Sequence, residues 1–307
     1  MEIILQVLLL ALGFVLLVKG ADWFVDGASG IAAKMHIPQL VIGLTIVAMG
    51  TSAPEAAVSI SAALKGSADI TIGNIVGSNI LNILIILGLA SAIVPVAVAK
   101  STIRIDIPYM LAITAVLFLL GWDGTITLVD GLILLVLFAA YLAYMLYMAK
   151  RGNDEGEPVK DLKLWQALLL TAVGLVLIVL GANFAVDAAT ALARIFGLSE
   201  RFIGLTIVAL GTSLPELFTS VTAARKGNAD IAIGNIVGSN IFNILFIVGL
   251  SAMIVPVPFV SNFLIDTLVA IAAGILLLVC SLREKKLVRW HGIVMLLCYG
   301  LYFLYLL

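Results

Sequence analysis

The chain has 307 residues, 63% of them hydrophobic and only 11% charged, and its mean hydropathy is +1.23. Soluble domains run at about 45–50% apolar and about 25% charged, so the composition excludes one and indicates an integral membrane protein. The net charge of −1 gives no reason to expect nucleic acid or another polyanion as a partner.

Apolar segments of about twenty residues recur between short polar breaks. Ten spans are expected, near 3–21, 39–62, 70–96, 105–121, 126–148, 163–184, 202–223, 229–255, 264–282 and 288–306. The first lacks a basic leader and a small-residue cleavage site, so it is expected to be retained. Cys280 and Cys298 lie in the last two apolar runs without metal-ligand spacing, as free thiols would. Between the fifth and sixth spans, residues 150–163 read "KRGNDEGEPVKDLK". That charge run is expected to be a solvated cytoplasmic linker with no binding role.

Basic residues set the orientation. With the N-terminus outside, thirteen Lys and Arg fall in inner loops and three (Lys65, Arg194, Arg201) in outer ones. Lys19, at the inner end of the first span, can snorkel. Both termini are therefore expected outside.

The halves repeat. Residues 43–95 align without a gap with 204–256 at an offset of 161, and 37 of 53 positions are identical. Gly13, Gly20 and Asp26 correspond likewise to Gly174, Gly181 and Asp187. The predicted organisation is a first five-helix repeat over 1–149, the linker, and a second repeat over 164–307. Five spans per half is odd, so the second repeat must enter from the opposite side. Inverted repeats place a shared site near the bilayer midplane, as in secondary transporters.

The two most deeply placed acids sit in matching hexapeptides, "GTSAPE" at 50–55 and "GTSLPE" at 211–216. A charge at mid-span costs about 2.5–3.5 kcal/mol on insertion scales. Glu55 and Glu216 are symmetry mates, and neither half offers an equally deep Lys or Arg. Two facing carboxylates would repel or protonate unless mobile cations supply the missing charge. Pro54 and Pro215 interrupt helical hydrogen bonding, which is tolerated at depth only where backbone lines a cavity. Thr51, Ser52, Thr212 and Ser213 add hydroxyls, although bonding back to the preceding turn is their plainer use. Carboxylate, carbonyl, hydroxyl and amide oxygens together suit hard cations such as Ca²⁺ and Na⁺.

A companion motif follows, "GNIVGSNILN" at 73–82 and "GNIVGSNIFN" at 234–243. Ser78 with Asn82, and Ser239 with Asn243, share a helical face at i and i+4. The glycines are expected to serve close helix packing. Asn74, Asn79, Asn235 and Asn240 are expected in structural hydrogen bonds. Asp69 and Asp230 are expected to be N-caps, and His36 and His291, at span edges, to be solvated.

These motifs resemble the two alpha-repeats of the cation/calcium exchanger superfamily, specifically prokaryotic sodium/calcium exchangers, and the resemblance covers essentially the whole chain. It implies an all-α membrane fold of ten helices, broken at the midplane, and a sodium-driven Ca²⁺ antiporter working by alternating access. It also implies that Glu55 and Glu216 hold Ca²⁺ with the carbonyls of Thr51 and Thr212. Ser52, Ser78, Ser213 and Ser239, with the carbonyls of Ala48 and Ala209, match flanking Na⁺ positions, and Asn82 and Asn243 the polar pair beside the centre. Na⁺ and Ca²⁺ are then cargo, no organic cofactor is implied, and the chain is expected to work as a monomer in the cytoplasmic membrane of a prokaryote.

Relatives coupled to K⁺ typically carry Asp where this chain has Asn243, and proton-coupled ones a "GNxxE" motif where it reads "GNIVG". Both alternatives are disfavoured but stay open. A channel would need a continuous pore, and an intramembrane hydrolase an HExxH, GxSxG or P-loop motif that the chain lacks.

Overall fold

The computed structural model describes residues 2–151, 162–197 and 209–306. In chain order its helices are α1 (Glu2–Met35), α2 (Gln39–Thr51), α3 (Ala53–Leu64), α4 (Ile70–Ile93), α5 (Thr102–Leu120), α6 (Leu128–Arg151), α7 (Leu164–Ile195), α8 (Ala209–Thr212), α9 (Leu214–Arg225), α10 (Ala229–Ile254), α11 (Ser261–Glu284) and α12 (Arg289–Leu306). Eight are each long and apolar enough to cross a bilayer, and α2 with α3, bent by 48°, makes a ninth, broken span. Lipid offers backbone groups no partners, so such sequences must satisfy them within helices. The chain is an all-α integral membrane protein. Most of the linker 150–163, and the start of the span expected at 202–223, lie outside the described residues; α8 and α9 are the described part of that span.

Two helices outrun their hydropathy. The spans expected at 3–21 and 163–184 are helices of 34 and 32 residues. At 1.5 Å per residue α1 is about 51 Å long, well beyond a hydrocarbon core of about 30 Å. Lys19, Asp22 and Asp26 end the apolar stretch but not the helix. It stops only at His36, whose φ is 56°, ahead of Pro38.

α1 and α7 pack against each other through glycines. A Cβ added to Gly13 would lie 2.7 Å from the Ala185 nitrogen, one at Gly20 2.8 Å from that of Ile178, and one at Gly27 2.5 Å from that of Thr171. Each step of seven up α1 is a step of seven down α7, so the helices run antiparallel. They are also counterparts in the repeat, hence the halves are inverted. Two short ribbons cross between the halves under the same symmetry: β1 (Val96–Ala97) pairs antiparallel with β4 (Lys286–Leu287), and β2 (Thr125–Ile126) with β3 (Val257–Pro258).

α4 and α10, which carry the companion motif, form the centre. In their most apolar stretches 78% and 94% of residues are buried, against 17–39% in the other long helices. Gly234 and Gly238 lie against the backbone of Gly43 and Leu44 in α2, confirming close packing for that pair. The counterpart contact of Gly73 and Gly77 would involve residues 204–205, outside the described residues.

Three local expectations are corrected. His291 is buried, not solvated: its Nδ1 accepts a hydrogen bond from the Val288 N–H at 3.2 Å, capping the start of α12. The N-cap positions are Ala68 and Asn228, so neither acid is the N-cap: the backbone of Asp69 opens the helix that continues as α4, and Asp230 lies in the first turn of α10. In that turn Asp230 gains from the positive end of the helix dipole.

Replacing Gly20 by Ala forces the α1–α7 backbones apart and should destabilise the fold by about 1–3 kcal/mol. Gly300, on an exposed face of α12 with no atom within 4 Å of where a methyl would sit, should accept Ala without loss. Thermal unfolding in detergent, comparing G20A with G300A, measures the difference.

Candidate functional site

At Ser52 the backbone leaves the helical path (φ −81°, ψ 8°), and α3 starts afresh at Ala53. Pro54 then falls in the first turn of a helix, where a missing N–H costs nothing. Glu55 falls in the same turn, so the positive end of α3 faces its carboxylate. The second half repeats the device with Ser213 (φ −89°, ψ 5°), Pro215 and Glu216 at the start of α9. The break thus puts each acid at a helix N-terminus in mid-membrane. The Ala48 carbonyl accepts the Ser52 N–H at 3.0 Å and the hydroxyls of Thr51 and Ser239, each at 3.3 Å.

Both carboxylates are fully buried, and each is held by the other half. The Ser52 hydroxyl donates to Glu216 Oε1 at 2.8 Å, and the Ser213 hydroxyl to Glu55 Oε1 at 3.2 Å. Ser239 reaches Glu216 Oε1 at 3.5 Å, and Ser213 lies 3.4 Å from Ser78. Glu55, Glu216, Ser52, Ser213, Ser78, Ser239, Thr51 and Ala48 are thus linked by hydrogen bonds and close contacts between the halves.

Asn82 and Asn243 each open a π-helical turn, 82–87 and 243–248, the local widening that often marks functional sites. Asn82 Nδ2 donates to Asn240 Oδ1 at 2.9 Å, and Asn243 Nδ2 to Asn79 Oδ1 at 3.0 Å. Asn79 and Asn240 in turn bond each other's backbone carbonyls at 3.2 Å. Asn74 and Asn235 tie Ser59 and Ser220 to their own halves, both at 2.9 Å, and Asn235 also accepts from Thr51. These four asparagines are structural, as expected.

What remains is a set of acceptors. Glu55 Oε2, Glu216 Oε2, Asn82 Oδ1 and Asn243 Oδ1 are buried without a hydrogen-bond partner. They form two symmetry-related pairs, and no Lys or Arg is buried among the described residues. An orphaned buried acceptor costs about 1–3 kcal/mol, more when charged. Four oxygens with no donor are what a bare cation would satisfy. Among the described residues there is no cluster of three or more His, Cys, Asp or Glu.

A cavity reaches the site between the halves. Of about 430 Å³, it lies between α3 and α7, walled by Pro54, Ala57, Asn183 and Asp187, and reaches Gly211 and Thr212. Thr212, half-buried, stands at its floor beside Glu55, whereas Thr51 is enclosed and bonded to Asn235. Ala209 begins α8; nothing is described of its side chain.

At the opposite end Lys226 closes α9 onto α1. Its Nζ lies 2.6 Å from both Asp22 Oδ1 and Asp26 Oδ1, and 2.9 Å from the Asp22 carbonyl. The sequence reading assigned these residues no contact, although Lys65/Lys226 and Asp26/Asp187 recur at the repeat offset.

A family profile described as sodium/calcium exchanger protein matches residues 5–147 and 166–307. Inner membrane protein YrbG of Escherichia coli K12 is 40% identical over 82% of this chain and 81% of its own length. Sodium/calcium exchanger MaX1 of Methanosarcina acetivorans is 34% identical over 95% of both. Among solved structures, the sodium-calcium exchanger NCX_Mj superposes with a TM-score of 0.86 at 34% identity, covering 97% of this chain and 98% of that one. Matching in sequence over both halves and in fold over nearly its whole length, the chain belongs to the sodium/calcium exchanger family.

Proposed function

We propose that the chain exchanges Na⁺ for Ca²⁺ by alternating access in the cytoplasmic membrane of a prokaryote, with both termini outside, extruding Ca²⁺ on the inward Na⁺ gradient. The observation that carries the reading is the set of four orphaned oxygens on Glu55, Glu216, Asn82 and Asn243. Glu55 and Glu216, with the carbonyls of Thr51 and Thr212, are the Ca²⁺ ligands in this reading. Ser52, Ser78, Ser213 and Ser239, with the carbonyls of Ala48 and Ala209, complete flanking Na⁺ positions around those shared carboxylates, and Asn82 and Asn243 flank the centre.

Antiport follows from sharing. Two carboxylates nearly neutralise one Ca²⁺ or a group of Na⁺, and the same oxygens cannot hold both loads. Mutual exclusion, combined with a site that opens to one side at a time, couples the fluxes. The glycine-lined crossing of α1 and α7 offers few interlocking side chains, which suits a pair that slides against the core of α2–α4 and α8–α10.

The Lys226 clamp supports a state closed at the predicted inner end. Its counterparts at the other end are Lys65, Asn183 and Asp187; the latter two line the open cavity, and Asn183 stands where a second acid would be needed. Sliding must break the first cluster. The pairs are partly exposed, so their joint worth is about 1 kcal/mol or less, a roughly fivefold bias between states.

Two measurements test this reading. Radiolabelled Ca²⁺ uptake into Na⁺-loaded proteoliposomes should depend on the Na⁺ gradient and not on a K⁺ or pH gradient substituted for it, and E55Q and E216Q should each abolish it while remaining folded. Uptake driven equally by K⁺ or protons would replace the Na⁺ reading with one of its alternatives. In K226M, hydrogen exchange should rise severalfold over 18–30 in α1 and fall over 179–187 in α7; unchanged exchange at both ends removes the clamp from the mechanism.

A further inference from the structure

Away from the central oxygens, a second buried carboxylate faces a cavity of its own. Asp106 is 2% exposed, and its Oδ2 has no hydrogen-bond partner. It ends the π-helical turn 102–106 at the start of α5, and lines a cavity of about 190 Å³ between α5 and α6. The other main walls are the rings of Tyr109, Tyr141 and Tyr144, with Leu137. The Tyr109 and Tyr141 rings stack at 5.5 Å, and both hydroxyls are spent on backbone: Tyr109 donates to the Leu137 carbonyl at 3.0 Å, and Tyr141 to the Leu44 carbonyl at 3.4 Å.

The repeat supplies a built-in comparison. Asp266 is the counterpart of Asp106, in "SNFLID" against "STIRID". Tyr302 is the counterpart of Tyr141 at the usual offset of 161. In the second half the two residues meet, Tyr302 donating to Asp266 Oδ1 at 3.0 Å. In the first half the same tyrosine has turned away to the core helix α2, and the aspartate keeps an open oxygen beside an aromatic-walled space. One sequence device thus has a closed copy and an open copy.

We propose that the open copy is a binding site for a small organic ammonium, with Asp106 as its counter-charge and Tyr109, Tyr141 and Tyr144 among its walls. A hard metal ion would ask for six or more oxygens, and this cavity offers one carboxylate among rings and aliphatic carbons. An alkylammonium needs one anion for its head, ring faces for its positive edge, and apolar surface for its tail. The cavity lies within two turns of Arg151, at the end of α5 and α6 that carries Arg104, Lys150 and Arg151. That is the end predicted to meet the inner leaflet, so the ammonium can belong to a free amine or to an ethanolamine lipid headgroup.

Calorimetric titration of the purified full-length protein with n-butylammonium, and with 1-butanol as its uncharged isostere, tests the site. Butylammonium should bind at least tenfold more tightly than butanol. D106N should remove that preference, and Y144L should weaken binding severalfold while keeping the carboxylate, with thermal unfolding used to show that each variant is folded. D266N and E55Q should bind as the wild type does, the latter separating this site from the central one. Equal binding of the two probes, no binding of either, or full binding by D106N would each overturn the proposal. Native mass spectrometry identifies the source: an ethanolamine lipid retained by the wild type, displaced by butylammonium and lost in D106N assigns the headgroup, and its absence alongside amine binding assigns a free amine.

Discussion

A hydrocarbon interior supplies neither donors nor acceptors, so every polar atom placed there must be answered by the protein or by something the protein carries. Most of this chain obeys by the simplest route, pairing backbone with backbone in long helices. Around Glu55 and Glu216 a second layer of pairing operates through side chains, serine to carboxylate and asparagine to asparagine, until the donors run out. Among the buried oxygens without a partner, those of Glu55, Glu216, Asn82 and Asn243 stand out because they recur in both halves. They are two kinds of atom, each present once per half, at the junction between the halves.

Inversion gives that junction its chemistry. The two-fold relation of the halves brings each serine to the other half's glutamate. The broken helix serves the same end. By restarting at Ala53 and Leu214, α3 and α9 point their positive ends at the carboxylates without bringing a basic side chain to the midplane. A fixed lysine there would satisfy the acids permanently and leave nothing for an ion to do. Helix dipoles and hydroxyls stabilise negative charge only partly, which keeps the oxygens available yet able to let go.

Much of this was legible in the sequence because the signals were periodic or duplicated. Hydropathy marked the spans, the offset of 161 marked the halves, and matched Glu55 and Glu216 marked the centre, with the serines and asparagines following from helical spacing. The errors fell where a rule of composition met tertiary context. The ends of α1 and α7 were misplaced because charged residues stop an apolar run without stopping a helix. His291 was misread because a residue beside a basic loop can still turn inward to cap its own helix. The contact of Lys226 with Asp22 and Asp26 joins residues about 200 positions apart, and no local pattern announces it.

The inverted repeat also means that each half is a reference state for the other. Where the halves agree, as at the serine–glutamate braces, the geometry belongs to the site itself. Where they differ, the difference reports the conformation or a divergent use. Thr51 is enclosed while Thr212 meets a cavity, and Lys226 is clamped while its counterpart's partners line open space; both contrasts have the same sense, open at one end and closed at the other. In the proposed sliding of α1 and α7, the two environments would exchange together. The Asp106–Tyr141 and Asp266–Tyr302 pairs differ in another way, because they lie on α5–α6 and α11–α12, outside the elements that such a movement carries. Their asymmetry therefore belongs to the two halves' differing sequences and not to that movement.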